Sequence, residues 1–364
     1  MTLSERIKKN TEDFLEGKIN YLPFPDLGRF TKVFPGLMRG DVSAIIGLPA
    51  DGKSSLWKRL IVHEGVEWAF KKKKNFHILA FLLEETEIQF DYSLLSYCLW
   101  KKHGLRYNLK DFICVGKSVD PKYFPQIEDA EKRVNILKSY VTCYDNIMNS
   151  YGIYKAVRDF AWERGKFYKG DVLLTDKNEL TEGGWTKYVP DDSDEFIVVA
   201  IDHLLQLHPQ KNQKDISQAI GDLVEDLRAY AAKHFNYSIV FLQHAASSVE
   251  SSDNRQRQEV LPNITNLARN TEVGRSFLNI ISITNINRTN TVGPGNTGIQ
   301  VWDGINVPKM GNHMRIINIS KSRYGESNVN FPLWFDGKVG DFETIDKSKL
   351  STYYDRVKNF SSSI

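Results

Sequence analysis

The chain has 364 residues, enough for one large domain or two small ones, and its 41% hydrophobic content is ample for a sizeable core. Its 48 basic and 45 acidic residues give a formal net charge of +3, so composition does not mark a nucleic-acid binder and any basic surface must be local. No run approaches the roughly 20 apolar residues of a membrane span, the start Met1 to Arg6 lacks an apolar signal core, and Cys98, Cys114 and Cys143 show no zinc or redox spacing; the expectation is a cytoplasmic protein with reduced thiols and no membrane partner.

Residues 1–20 carry Leu3, Ile7, Asn10 and Phe14 at helical spacing in a charged segment, which predicts an amphipathic linker helix with little of its own to pack against. Tyr21 to Gly40 is rich in proline and glycine and reads as an irregular lead-in. Val42 to Ile46 is an apolar strand, followed by Gly47-Leu48-Pro49-Ala50-Asp51-Gly52-Lys53-Ser54, a full match to the phosphate-binding P-loop pattern. A helix with Leu56, Leu60, Ile61 and Trp68 on a broad apolar face follows, so the motif has its strand, loop and helix context. The glycines let backbone N–H groups turn inward around phosphates, the helix N-terminus adds positive potential, Lys53 reaches the terminal phosphates and Ser54 can ligate magnesium. Gly47, Pro49, Gly52, Lys53, Ser54 and Ser55 are the candidate residues for holding ATP.

The run Lys71 to Lys74 reads as a solvated helix end before a second apolar strand, Phe76 to Leu83, which closes on Glu84 and Glu85. Either carboxylate could polarise an attacking water. Asp91 to Lys138 carries no clear motif. Val141 to Tyr144 reads as a short strand and Tyr154 to Arg164 as a helix with Val157, Phe160 and Ala161 on one face. Residues 168–194 look like an inserted hairpin that pairs 171–175 with 185–189. The strand Glu195 to Asp202 ends in a carboxylate placed to organise Mg2+ together with Ser54. A helix (Ile216 to His234) and a strand (Tyr237 to Leu242) ending at Gln243 continue an alternation that implies an α/β fold, a mainly parallel sheet flanked by helices. The Gln243 amide is a candidate sensor of the terminal phosphate. After Ile280 to Thr284 comes a long glycine- and asparagine-rich loop, 285–313, then two closing antiparallel strands, Met314 to Lys321 and Asn328 to Phe335, and a tail, 346–364.

The order of these elements resembles the RecA-like motor domain of replicative DNA helicases of the DnaB and Twinkle type, superfamily 4, over roughly Phe24 to Phe342. The phrases Phe24-Pro25-Asp26-Leu27 and Gly36-Leu37-Met38-Arg39-Gly40-Asp41 are similar to the family's lead-in, and Pro49 matches its P-loop. Phe81-Leu82-Leu83-Glu84-Glu85 resembles the strand that carries the family's catalytic glutamate and selects Glu84; Ile201-Asp202-His203-Leu204 fits its Walker B phrase; Gln243 falls on its Ser-Gln-Leu-Asn-Arg motif. Lys321-Ser322-Arg323-Tyr324-Gly325 resembles its Lys-Gln-Arg-Asn-Gly, which implies that Lys321 and Arg323 reach a neighbouring subunit's nucleotide. His244-Ala245-Ala246 and Leu205 depart from the pattern.

The resemblance implies a RecA-like ATPase domain over 21–345, an ATP-driven helicase or translocase on single-stranded DNA, a homo-oligomer such as a hexameric ring, and primase or other replication proteins as partners. Arg255, Arg257, Arg269 and Arg275 fall in or near the segment that lines the central channel in such motors, and guanidinium forks suit backbone phosphates. A RecA-like recombinase or mediator that forms filaments on DNA, and a non-motor structural or interaction protein that retains a P-loop, are the alternative readings.

Overall fold

The computed structural model describes residues 2–16, 21–180, 184–251, 254, 260–267, 273–290 and 299–361. These residues build a nine-stranded sheet whose strands, in chain order, are β1 (Val42–Gly47), β2 (Phe76–Leu82), β3 (Val141–Tyr144), β4 (Phe196–Asp202), β5 (Ser238–His244), β6 (Asn279–Thr284), β7 (Met314–Lys321), β8 (Val329–Asp336) and β9 (Asp341–Thr344). Across the sheet the order is β3-β2-β4-β5-β1-β6-β7-β8-β9. Pairing is parallel from β3 through β6 and antiparallel from β6 to β9. Every residue of β1, β4 and β6 is buried, as expected of strands covered on both faces, which read as continuous apolar runs.

Strand alternation divides the core in two. Ile45, Ile78, Ala80, Val198, Ala200, Val240 and Leu242 face one layer of helices: α2 (residues 53–72), α3 (Glu87–His103) and α4 (Phe124–Lys138). Ala44, Ile46, Leu79, Val199, Ile239 and Phe241 face the other layer, α5 (Ser150–Trp162) and α6 (Ile216–Asp226). Helix α3 starts sharply because Thr86 and Gln89 cap each other reciprocally, and it stops at Gly104 in the left-handed conformation. Helix α2 passes through a π turn at Lys58–His63, where Lys58, Arg59 and His63 are buried. The N-terminal helix α1 (Leu3–Leu15) also has a reciprocal cap, Thr2 with Glu5, yet buries none of its residues.

Three regions differ from the sequence reading, and one is the long loop 285–313, within which Val301–Trp302 pairs antiparallel with Ile305–Asn306 and Val307–Met310 forms a helical turn. Residues 171–175 and 185–189 do not pair with each other: Gly165–Lys169 lies between them, antiparallel to both Val172–Leu173 and Lys187–Pro190. The aromatic side chains decide this, because Phe167 is fully buried with Trp185 edge-on at 5.1 Å and Phe235 at 5.6 Å. A Cβ at Gly165 would meet Val189 O at 2.6 Å, so the close strand approach requires glycine there. The segment read as a tail forms helix α7 (Leu350–Ser361), which packs Tyr353, Val357 and Phe360 over the outer strands in a third core with Trp334. Among the described residues no helix is long and apolar enough to cross a membrane.

Candidate nucleotide site at the strand ends

Loop 48–52 leaves the C-terminal end of β1 and enters α2 at Gly52, whose φ of +105° is glycine territory; a Cβ there would also press on Phe335 at 3.2 Å. Gly47 is equally constrained, since a Cβ would lie 2.5 Å from Ile283 O. The loop is pinned from inside by Asp51, which is fully buried. Its carboxylate accepts from Leu48 N at 2.9 Å and Asn285 N at 3.1 Å and lies 3.5 Å from the Arg288 guanidinium. Arg315 Nε donates to the Asp51 carbonyl at 2.7 Å, and Arg288 donates to the Pro49 carbonyl. Strand β7 and the segment after β6 thus fix the path of the loop. Replacing Asp51 by alanine strands two buried N–H donors, at a cost of about 1–3 kcal/mol each. The expected outcome is a lower urea midpoint together with weaker nucleotide binding; an unchanged midpoint would remove Asp51 from this role.

Lys53 is 7% exposed, and its ammonium donates to the Leu48 carbonyl at 3.0 Å, so it rests folded over the loop. Burial lowers its pKa, partly offset by the charges of Asp51, Asp202 and Glu84. Asp202, 4% exposed at the end of β4, is hydrogen-bonded to the Ser54 side chain; burial raises its pKa against the pull of Lys58. The register Leu82↔Asp202 sets Glu84 and Glu85 beside it. These two carboxylates are treated differently. Glu85 is gripped by Lys58 Nζ at 2.7 Å and is one-fifth exposed, whereas Glu84 is 54% exposed and reaches over the cleft.

Two histidines complete the group. Glu84 Oε2 lies 3.1 Å from His203 Nδ1, and the rings of His203 and His244 are 4.2 Å apart. His203 directly follows Asp202 with a φ of +72°, costly for a residue with a Cβ. Burial lowers the pKa of His203, and burial with the Lys53 charge pushes His244 down to about 3. His244 lines the cleft; Gln243, fully buried, does not. The reason is parity: Val240 and Leu242 point toward α2, so His244 continues that face and Gln243 the opposite one.

Lys53, Ser54, Glu84, Glu85, Asp202 and His244 open into a cleft of about 1240 Å³ that also takes in Pro49, Gly52, Ser55, Arg106, Phe335 and Phe360. Lys321 and Arg323 lie elsewhere. Their hairpin packs at the start of β1, where Tyr324 donates to Asp41 at 2.7 Å and Arg323 N to Asn279 at 3.1 Å. Asp41 to Gly47 is six strand steps, roughly 20 Å, so the chain does not bring Arg323 to its own loop. Arg275 is exposed at that same far end, its carbonyl accepting from Lys321 Nζ at 3.2 Å. Arg255, Arg257 and Arg269 lie outside the described residues.

A mainly parallel sheet wrapped by helices on both faces, a Gly-x4-Gly-Lys-Ser loop after its central strand and antiparallel strands at the C-terminal edge define the RecA-like P-loop NTPase fold. Within that class the fold resembles the ATPase domains of DnaB-like replicative helicases. The structure of a DnaB-like replicative helicase described with its interactions with primase superposes with a TM-score of 0.62 at 13% identity, over 95% of this chain and 67% of that one. The ATPase domain of G40P superposes with a TM-score of 0.62 at 14% identity, over 95% and 99% of the two chains. At these identities the likeness establishes the fold alone. No protein-family model and no curated protein matches the sequence.

Proposed function

We propose that the protein is an ATP-driven translocase or helicase acting on single-stranded DNA, working as a homo-oligomer with ATP bound between subunits. The observation that carries this reading is that the P-loop group and the Lys321–Arg323 hairpin lie at opposite ends of β1. One end of the sheet presents the P-loop, Asp202 and Glu84, while Lys321 and Arg323 sit at the other end of β1. The guanidinium groups that line the cleft, Arg106 and Arg315, are both committed: Arg106 forks onto Asp336 with two bonds of 2.8 Å, and Arg315 is bound to the Asp51 and Asn312 carbonyls. An arginine that stabilises charge developing on a transferring phosphoryl group would then come from the next subunit, and the exposed Arg323 is suited to that.

The donor set suits a nucleotide and its magnesium. Two glycines that no side chain could replace shape the loop, Lys53 is available to exchange the Leu48 carbonyl for a phosphate, and Ser54 and Asp202 form a hard oxygen pair. Magnesium would neutralise phosphate charge there. Glu84 would orient water, and His244, which lines the cleft where Gln243 does not, is the candidate to face the terminal phosphate. Arg275, with the arginines outside the described residues, is the candidate DNA contact. Helix α1, with Leu3, Ile7 and Phe14 exposed and none of its residues buried, is the candidate subunit clasp. Primase is a candidate partner through the fold alone.

The test is ATP turnover with and without single-stranded DNA, paired with mass measurement in ATP and Mg2+. DNA-stimulated turnover by an oligomer is expected, lost in Lys53→Ala. Nucleotide binding with no turnover in either condition would leave the non-motor reading, and turnover without strand displacement on a forked duplex would favour the filament-forming one.

A further inference from the structure

Glu84, His203 and His244 lie at the C-terminal ends of three adjacent parallel strands, β2, β4 and β5, and one donor atom from each lies within 4.8 Å of the other two. We propose that these residues form a site for a divalent transition ion, with Zn2+ the best fit, and that filling it takes the Glu84 carboxylate out of use. The binding half of this stands on geometry alone; the inhibitory half rests on the function proposed above.

Two imidazoles and one carboxylate are borderline donors that suit Zn2+, whereas Mg2+ prefers an all-oxygen shell. Zinc bonds of about 2.0–2.2 Å place tetrahedral donors about 3.4 Å apart. The Glu84 to His203 pair, at 3.1 Å, already meets that spacing, and the widest separation needs to close by a little over an ångström. Glu84 is half exposed and can swing. His203 Nδ1 is buried and, despite its 3.1 Å approach to Glu84, has no hydrogen-bond partner among the described residues, so binding an ion there breaks no existing bond to that nitrogen. The Lys53 ammonium nearby is flanked by the Asp51 and Asp202 carboxylates, which offset its repulsion of a cation. The site is distinct from the Ser54 and Asp202 oxygen pair, though both open into the same cleft.

The consequence is a lock. A zinc-bound Glu84 cannot orient water, so the ion would arrest turnover without displacing nucleotide from Lys53 and the loop.

The experiment uses the full chain, stripped with a chelator and free of nucleotide, titrated with Zn2+ against a chromophoric competitor and separately with Co2+. One ion per chain is expected, with visible d–d bands for Co2+. Glu84→Gln, His203→Gln and His244→Gln should each weaken binding about ten-fold or more and abolish those bands. Because Glu84 is exposed, Glu84→Gln tests the site even where a histidine variant misfolds. No binding, or equal binding by wild type and Glu84→Gln, would overturn the site. A fluorescent ATP analogue and the turnover assay are read in parallel. Zinc bound by a chain that neither binds nor hydrolyses ATP leaves the site standing and removes the ATPase reading. Unimpaired turnover by the zinc-loaded protein would overturn the lock.

Discussion

Arg323→Ala is expected to lower ATP turnover by about 10³–10⁵ while leaving nucleotide affinity unchanged, because a transition-state arginine contributes on that scale and contacts little in the ground state. The hairpin that carries Arg323 is anchored at Asp41 and Asn279, at the end of β1 away from its own loop, so the proposed role requires a neighbour's loop. Mixing Arg323→Ala with Lys53→Ala should therefore restore part of the activity, since some interfaces pair an intact loop with an intact arginine. Neither protein alone forms such an interface. Turnover in reassembled mixtures decides the matter: normal activity of Arg323→Ala, or of a monomer, would exclude the intersubunit site.

Glu84→Gln should lose about 10²–10⁴ in turnover, the usual contribution of a positioned acid or base, and keep nucleotide binding. Glu85→Gln should behave in the opposite way. Its carboxylate is tied to Lys58, which also donates to Ser93 at 2.9 Å, so losing the charge weakens a partly buried ion pair. The expected loss is about 1–3 kcal/mol of stability with turnover near that of the wild type. Comparing turnover with melting temperature for both variants separates the two carboxylates; equal catalytic loss would show that both act on the water.

The most legible parts of the site in the sequence are those written contiguously. Gly47 to Ser54 carries its own geometry, and Asp202 ends a short apolar run rich in β-branched residues that reads as a buried strand. The choice between Gln243 and His244 was not legible for the same reason: a strand buried on both faces shows no alternation, so nothing in Ser238 to Leu242 reveals which parity faces the helix after the P-loop. Asp51 reads as an ordinary loop residue because its partners, Asn285, Arg288 and Arg315, are more than two hundred positions away. Gly165–Lys169 hid its pairing because it follows α5 without a turn signal and buries only Phe167. Helix α7, by contrast, carried a readable pattern in Leu350, Tyr353, Tyr354, Val357 and Phe360; the charged residues between them made it look like a tail.

Trp334 lies fully buried on β8 with the His313 ring parallel to it at 4.6 Å and the Arg356 guanidinium 4.5 Å from its ring centre. His313 is also a wall of the cleft. Because the indole is stacked on a ring that borders the cleft, its emission is expected to change when the cleft is filled, and an emission unmoved by nucleotide would count against that coupling. The difference spectrum between wild type and Trp334→Phe isolates that signal from the other tryptophans and lets binding be followed in real time without any label.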